Sequence, residues 1–203
     1  MKIGAKYKIV RRLGGATVFE KTQGPKYALR AQNRAMSSKS KPKAKSDFAL
    51  RLMEKQKARY TYCVTERQFS KYAKKSLEKG GNAGALLIQT LESRLDNVAL
   101  RSGLASTRLA ARQMVSHGHL LVNGKIVTIP SYQVSVGEVI TIREGSKKKP
   151  LFATIEEKLK AAKVPAWLKV NIEKKEITID GVPTAQASEL LFNVGSVLEF
   201  YTR

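Results

Sequence analysis

The sequence predicts an α+β fold, in which helices pack on a small antiparallel sheet behind a basic N-terminal arm. Three observations predict it. Apolar residues recur at helical spacing in the first half, as Leu87, Leu91, Leu95 and Val98 do at i, i+4, i+8 and i+11. Beyond residue 119 short apolar runs are punctuated by Asn-Gly, Gly and Asp-Gly. Residues 1–46 carry 13 Lys and Arg against one acid, Glu20.

The elements follow in sequence. Residues 35–46, AMSSKSKPKAKS, show no apolar periodicity and read either as a solvated linker or as a segment that orders only on a partner, since alone they cannot offset their ordering entropy. KYKIVRR (6–12) differs, because Tyr7, Ile9 and Val10 interleave with cations and can anchor the arm while Arg11 and Arg12 meet phosphates. From 47 to about 73, Phe48, Leu52 and Met53 mark one helix face. Val64, Phe69 and Tyr72 mark a second helix after a bend near 60–63, and Leu52, Lys55, Gln56 and Arg59 share one spacing.

EKGGNAG (78–84) is a break, and one long helix is expected from about Ala85 to Arg101, stopped by Gly103. Ser106 and Thr107 are N-cap residues for a helix over about 107–117. In it Ala110, Ala111, Met114 and Val115 share one flank, and Arg108 and Arg112 another. The two helices therefore meet at a short corner. LLVNGKIV (120–127) reads as a hairpin with a type I′ turn at Asn123-Gly124. VSVGEVITIRE (134–144) reads as a further strand, SKKKP (146–150) as a linker and TIEEKLKAAKVPAWL as a short helix. EITIDGVP (176–183) resembles a second hairpin turning at Asp-Gly, and SVLEFYTR a packed strand or helix.

The formal net charge is +22, distributed as +12 over residues 1–46, +10 over 47–149 and zero over 150–203. Such an excess repels itself and calls for a polyanion, either nucleic acid or an anionic membrane. The membrane is the weaker partner, because no apolar run approaches the roughly 18 residues of a spanning helix. MKIGAKYKIVRRLGG lacks a signal-peptide apolar region and reads as a cytosolic start. The single cysteine, Cys63, excludes an internal disulfide and a cysteine-rich metal cluster, and reads as a buried small hydrophobe.

The segment LESRLDNVALRSGLASTRLAARQMVSHGHLLVNGKIVTIPSYQVSVGEVITIRE closely resembles the RNA-binding module named after ribosomal small-subunit protein S-four. The flanks LMEKQKARYTYCVTERQF, VPAWL and EFYTR are similar to further segments of that ribosomal family, so the likeness runs over most of 47–203. The resemblance implies a helical domain completed by the C-terminal segment, with the module inserted as three helices against an antiparallel sheet. The expected divisions are a basic extension at 1–46, a helical domain at 47–91, the module at 92–145 and a completing segment at 146–203.

The resemblance further implies a non-enzymatic, cytoplasmic, primary binder of small-subunit (16S-type) ribosomal RNA that acts early in assembly. It implies ribosomal protein S-five as neighbour and mRNA close by, where mRNA enters its channel, with no cofactor, membrane or small-molecule substrate. Many bacterial members begin with a four-cysteine zinc knuckle. Here Val10 stands where a cysteine would, so the chain resembles the zinc-free form.

The candidate RNA contacts are Lys8, Arg11 and Arg12 in the arm, and Lys55, Gln56 and Arg59 in the first helix. At and after the corner they are Arg94, Arg101, Arg108, Arg112, Gln113, His117, His119, Asn123, Lys125 and Tyr132. Arginine suits bidentate phosphate contact. Tyr132 either stacks on a base or packs. The histidines have no acid or nucleophile beside them to suggest catalysis, and read as turn packing or, for one of them, RNA backbone contact. Asp96 reads as a local cap or salt bridge, and Trp167 as core. The alternatives are a pseudouridine synthase or an RNA-rescue factor using the same module. The first lacks room, because only about 55 residues follow the module.

Overall fold

A computed structural model describes residues 3–16, 18–19, 22–37, 44–186 and 189–202. The chain divides into two compact units, Met1–Gly84 with Gln186–Arg203, and Ala85–Ala185.

In the first unit, α1 (Lys6–Arg12), α2 (Pro25–Ser37), α3 (Asp47–Thr61) and α4 (Glu66–Glu78) are joined by α10 (Val194–Tyr201) from the far end of the chain. Ser46 caps α3 by accepting from the Ala49 N–H, and Thr65 caps α4 by accepting from Gln68. Between them Cys63 takes a φ of 52°, buried, at the expected bend. α10 packs on α3 and α4: the Phe69 and Tyr201 rings lie 6.2 Å apart, those of Phe48 and Phe200 5.6 Å. Eight residues as apolar as VGSVLEFY cannot bury themselves alone, which is why the chain's end is recruited to a core that includes α3, with Asn193 N–H donating to Glu54, 139 residues earlier.

The sequence reading of 1–46 as an arm is corrected for its described part. Val10, Leu13 and Phe19 are buried, and Phe19 meets Tyr60 edge-on at 6.0 Å. Val10 and Leu13 lie one turn apart, so α1 has a narrow apolar seam that its cations obscure. Residues 38–43 of the Ser/Lys/Pro stretch lie outside the described residues.

The second unit holds a five-stranded antiparallel sheet in the order β2-β1-β3-β5-β4. Its strands are β1 (Leu120–Val122), β2 (Lys125–Ile126), β3 (Val139–Ile142), β4 (Leu168–Asn171) and β5 (Glu176–Ile179). The β1–β2 hairpin turns at Asn123 and Gly124, with φ 49° and 77°, as a type I′ turn requires. On the inner face Leu120, Ile140, Ile142, Ile177 and Ile179 alternate with exposed or half-buried neighbours. They pack with Leu95, Val98, Met114 and Val115 of α6 (Leu95–Arg101) and α7 (Arg108–Ser116). Trp167 is in this core, its Nε1 donating to the Thr184 carbonyl at 2.8 Å.

Three further expectations change. The long helix at 85–101 is two, α5 (Ala83–Glu92) and α6, because residues 93–96 bond instead to the stretch 130–134. Leu95 N–H donates to the Tyr132 carbonyl at 2.9 Å and Val134 N–H to Ser93 at 2.8 Å. The second hairpin runs β4–β5 and turns at 172–175, with Lys175 at φ 57°, while Asp180 and Gly181 bond back to the Trp167 carbonyl. Finally, 146–150 is no linker. α8 (Glu144–Lys147) and a 3-10 turn at Pro150–Phe152 bury Ser146 and Phe152, ahead of α9 (Ile155–Ala161).

Candidate nucleic-acid interface

Thr107 accepts from the Ala110 N–H and starts α7 one short turn after α6. Gly103, at φ +86°, ends α6 so close to α9 that an added Cβ would stand 2.5 Å from the Ala162 Cβ. This fixes the corner between α6 and α7. Two buried carboxylates then organise its arginines. Glu92 accepts from Arg101 through both oxygens, at 2.9 and 3.0 Å, and from Asn97 Nδ2 at 2.8 Å. Asn97 Oδ1 in turn accepts from Arg108 Nε at 2.9 Å. Asp96 takes two hydrogen bonds from Arg94, at 3.0 and 2.6 Å, and lies 3.6 Å from Arg112 Nη1.

Four guanidiniums against two carboxylates leave the corner net positive. Arg101, Arg108 and Arg112 are half-buried: each is held by the fold and partly exposed at its surface. Fixing long cationic side chains in the fold removes rotamer entropy that binding would otherwise have to remove. Arg94 differs and is corrected: its side chain is 0% exposed, an internal partner for Asp96 rather than a surface cation. Glu92 and Asn97 were not among the sequence candidates. Their signal is a carboxylate and an amide set against the apolar stripe of Leu91, Leu95 and Val98.

His117 and Gln113 are exposed on α7 and its C-cap. His119 is corrected to a structural role. It is buried, with Nδ1 2.9 Å from Ser146 Oγ and its ring edge-on to Phe152. Burial, then the charges of Lys149, His117 and Arg143, hold its pKa below the ordinary histidine value. Asn123 Oδ1 accepts from the Val139 N–H at 2.9 Å and so secures the hairpin, and Lys125 stands exposed beside it. Tyr132 packs against the core and donates to Glu138 at 2.6 Å, a bond that, with burial, raises its pKa.

In the first unit Lys8, Arg11 and Arg12 are exposed on α1. Lys55 is corrected: it is 5% exposed, donates to Glu66 at 2.8 Å and lies 4.3 Å from the centre of the Phe200 ring. Burial pushes the Glu66 carboxyl up, but hydrogen bonds from Lys55 and Tyr201 and the charges of Lys55 and Arg59 outweigh it and leave the pKa lowered. Burial, and then the bond to Glu66, raises the Tyr201 phenol. Gln56 and Arg59 converge with Arg12 on a cavity of about 450 Å³ between α1 and α3. Lys45 and Tyr60 also line it, neither anticipated, and the Arg59 guanidinium lies over the Tyr60 ring at 4.4 Å. Among the described residues no helix is long and apolar enough to cross a membrane.

A family model described as S4 domain matches residues 93–140, the corner and the hairpin, and one described as Ribosomal protein S4/S9 N-terminal domain matches 1–92. The small ribosomal subunit protein uS4 of Cutibacterium acnes is 48% identical over 158 residues, covering 78% of this chain and 79% of that one. That of Polaromonas naphthalenivorans is 39% identical over 207 residues, 96% of this chain and all of the relative. The chain belongs to the uS4 family. Another member, from Persephonella marina, is 44% identical over 158 residues, 77% of each chain. These uS4 relatives are named as ribosomal proteins and not as enzymes, and the α+β fold matches the expectation. The S4 domain match contains all four corner arginines and both buried histidine-turn neighbours, Gly118 and His119.

Proposed function

We propose that this chain is a structural constituent of the small ribosomal subunit that binds folded 16S-type ribosomal RNA. Arg101, Arg108 and Arg112 meet phosphates of converging RNA helices from the pre-set corner, with Gln113, His117 and Lys125 beside them. Lys8, Arg11 and Arg12 give a second contact from α1, and Gln56 and Arg59 a third. The carrying observation is that two buried carboxylates hold a cationic corner in one geometry. Rigid cations suit recognition of RNA by shape and backbone rather than by sequence. Family membership supports the ribosomal setting.

Holding several RNA helices together lowers the entropic cost of later steps, which makes the chain an early, nucleating component of assembly. The resemblance supports a place where mRNA enters the subunit, beside ribosomal protein S-five, in the cytoplasm. Divided by function, 92–145 is the RNA-binding module, and 47–91 with the C-terminal segment is its helical support.

Chemical footprinting of small-subunit rRNA with the purified chain tests this. Protection should cluster at a multi-helix junction, and log K should fall steeply with log salt as counterions are released. A flat salt dependence would sink the electrostatic mechanism, and the absence of any local footprint would sink the rRNA assignment.

A further inference from the structure

The fold leaves α2 almost bare. The turn that leads into it is anchored: Thr22 is buried, and its N–H and hydroxyl both donate to the Phe19 carbonyl, at 2.8 and 2.6 Å. Tyr27 is half-buried and stacks on Tyr7 of α1, with ring centres 5.7 Å apart and planes 14° from parallel. Every other described side chain of α2 is exposed, Leu29 and Met36 among them. Its 13 residues are about the length at which a helix without tertiary packing is marginal in water. Such an element calls for a partner to cover it.

The chemistry of α2 narrows the partner. Lys26, Arg30 and Arg34 stand at i, i+4 and i+8, and neither α1 nor α2 contains an acid. Each step along this row advances about 6 Å and turns about 40° around the helix axis. That advance is close to the separation of neighbouring phosphates along a nucleic-acid strand, whereas carboxylates on a protein surface keep no such repeat. An anionic lipid surface fits less well. The flank beside the cations offers only Leu29 and Met36 for insertion, with Gln32 and Asn33 between them. The Tyr7–Tyr27 stack joins α2 to α1, whose Lys8, Arg11 and Arg12 are exposed. We infer that α2 lies along one backbone strand of the bound RNA, with Lys26, Arg30 and Arg34 on successive phosphates. The inference rests on the rRNA-binding reading and deepens it: the corner meets converging helices, while α2 follows a single strand.

The test uses the full chain and full-length 16S-type rRNA, with hydroxyl-radical footprinting of the backbone and Kd measured across a salt series. One variant combines Lys26→Gln, Arg30→Gln and Arg34→Gln, which removes the charge and keeps helix propensity. The other, Ala31→Pro, keeps every cation and breaks the helix that spaces them. The triple variant should raise Kd at least about tenfold and lower the salt slope by about two to three. It should lose protection of one short run of backbone while the remaining footprint persists, and Ala31→Pro should lose the same run. Wild-type Kd and slope in the triple variant would overturn the inference. Wild-type binding by Ala31→Pro would overturn it as well, because charge without spacing would then suffice. If Arg108→Ala with Arg112→Ala still weakens binding in either case, the rRNA reading survives without it. Absence of any footprint from the unmodified chain would reject both. Vesicles of phosphatidylcholine and phosphatidylserine test the lipid surface. Vesicle binding that the triple variant loses, beside wild-type rRNA binding by that variant, would overturn the inference in favour of a membrane.

Discussion

At the α6–α7 corner the arginines are tied to acids inside the fold, Glu92 and Asp96. On α1 Lys8, Arg11 and Arg12 stand exposed on a seven-residue helix with no acid in its first turn. Both regions suit a polyanion, yet they prepare for it differently. The corner orders its cations when the protein folds, with buried carboxylates as fixed posts. The α1 cations retain rotamer freedom until something binds. The contrast teaches that a basic surface is not one device: the tied arginines impose a geometry, whereas the exposed ones adapt to one.

The largest effect that could break this contrast comes from Asp96. Asp96→Ala would remove the carboxylate that pairs with the fully buried Arg94 and should cost about 3–5 kcal/mol in urea unfolding. Lys8→Ala should leave the midpoint unmoved. A loss under about 1 kcal/mol for Asp96→Ala would mean that the carboxylate is no post at all.

Gly103→Ala comes next. A positive φ and a Cβ pressed against Ala162 should cost about 2 kcal/mol by thermal denaturation and displace α6 from α9. An unchanged Tm would show that the corner tolerates movement.

Acid should separate the two units. His119 has a folded pKa below its ordinary 6.5, so between those values the unfolded chain binds the proton and the native one does not. Stability contributed by the neutral ring is thus lost as pH falls below 6.5, and His119→Gln should flatten that limb. Glu66 has a folded pKa below 4.5, so its contribution is present above 4.5 and lost as pH falls through and below that value. Tryptophan fluorescence of Trp167 reads the sheet unit alone, and a Glu66→Gln variant should leave its transition above pH 5 unchanged.

The smallest effect on stability, and the sharpest on binding, comes from removing cations by region. Arg108→Ala with Arg112→Ala should weaken rRNA binding with only a modest fall in Tm. Lys8→Ala, Arg11→Ala and Arg12→Ala together should weaken it with none. Each phosphate contact removed should lower the salt slope by about one. Equal slopes in the parent and both variants would erase the distinction between the two surfaces.

Much of the fold could be read before any coordinates. The Thr107 cap, the Asn123-Gly124 turn and the stripe on α7 are local devices, and local chemistry is sufficient to specify them. The misreadings share one cause. Arg94 looked like a surface cation and the middle of a long helix. It is neither, because Asp96 neutralises it and the chain at 130–134 competes for the backbone of 93–96. Residue type alone offers Lys55 and His119 as RNA contacts, but Glu66 and Ser146 hold them inside. α1 was hidden because two apolar residues sufficed once α3 supplied the other wall.

By itself the sequence determined the class of fold, the corner between two helices, the excess of positive charge and the family to which the chain belongs. These follow from periodicity, capping and composition, which act over a few residues or over the whole chain. Tertiary structure alone decided which cations remain at the surface and which become internal ion pairs. It also decided that Gln56 and Arg59 share a cavity with Arg12. A side chain's charge is written in its residue type, but its partner is chosen by packing between segments far apart in the chain.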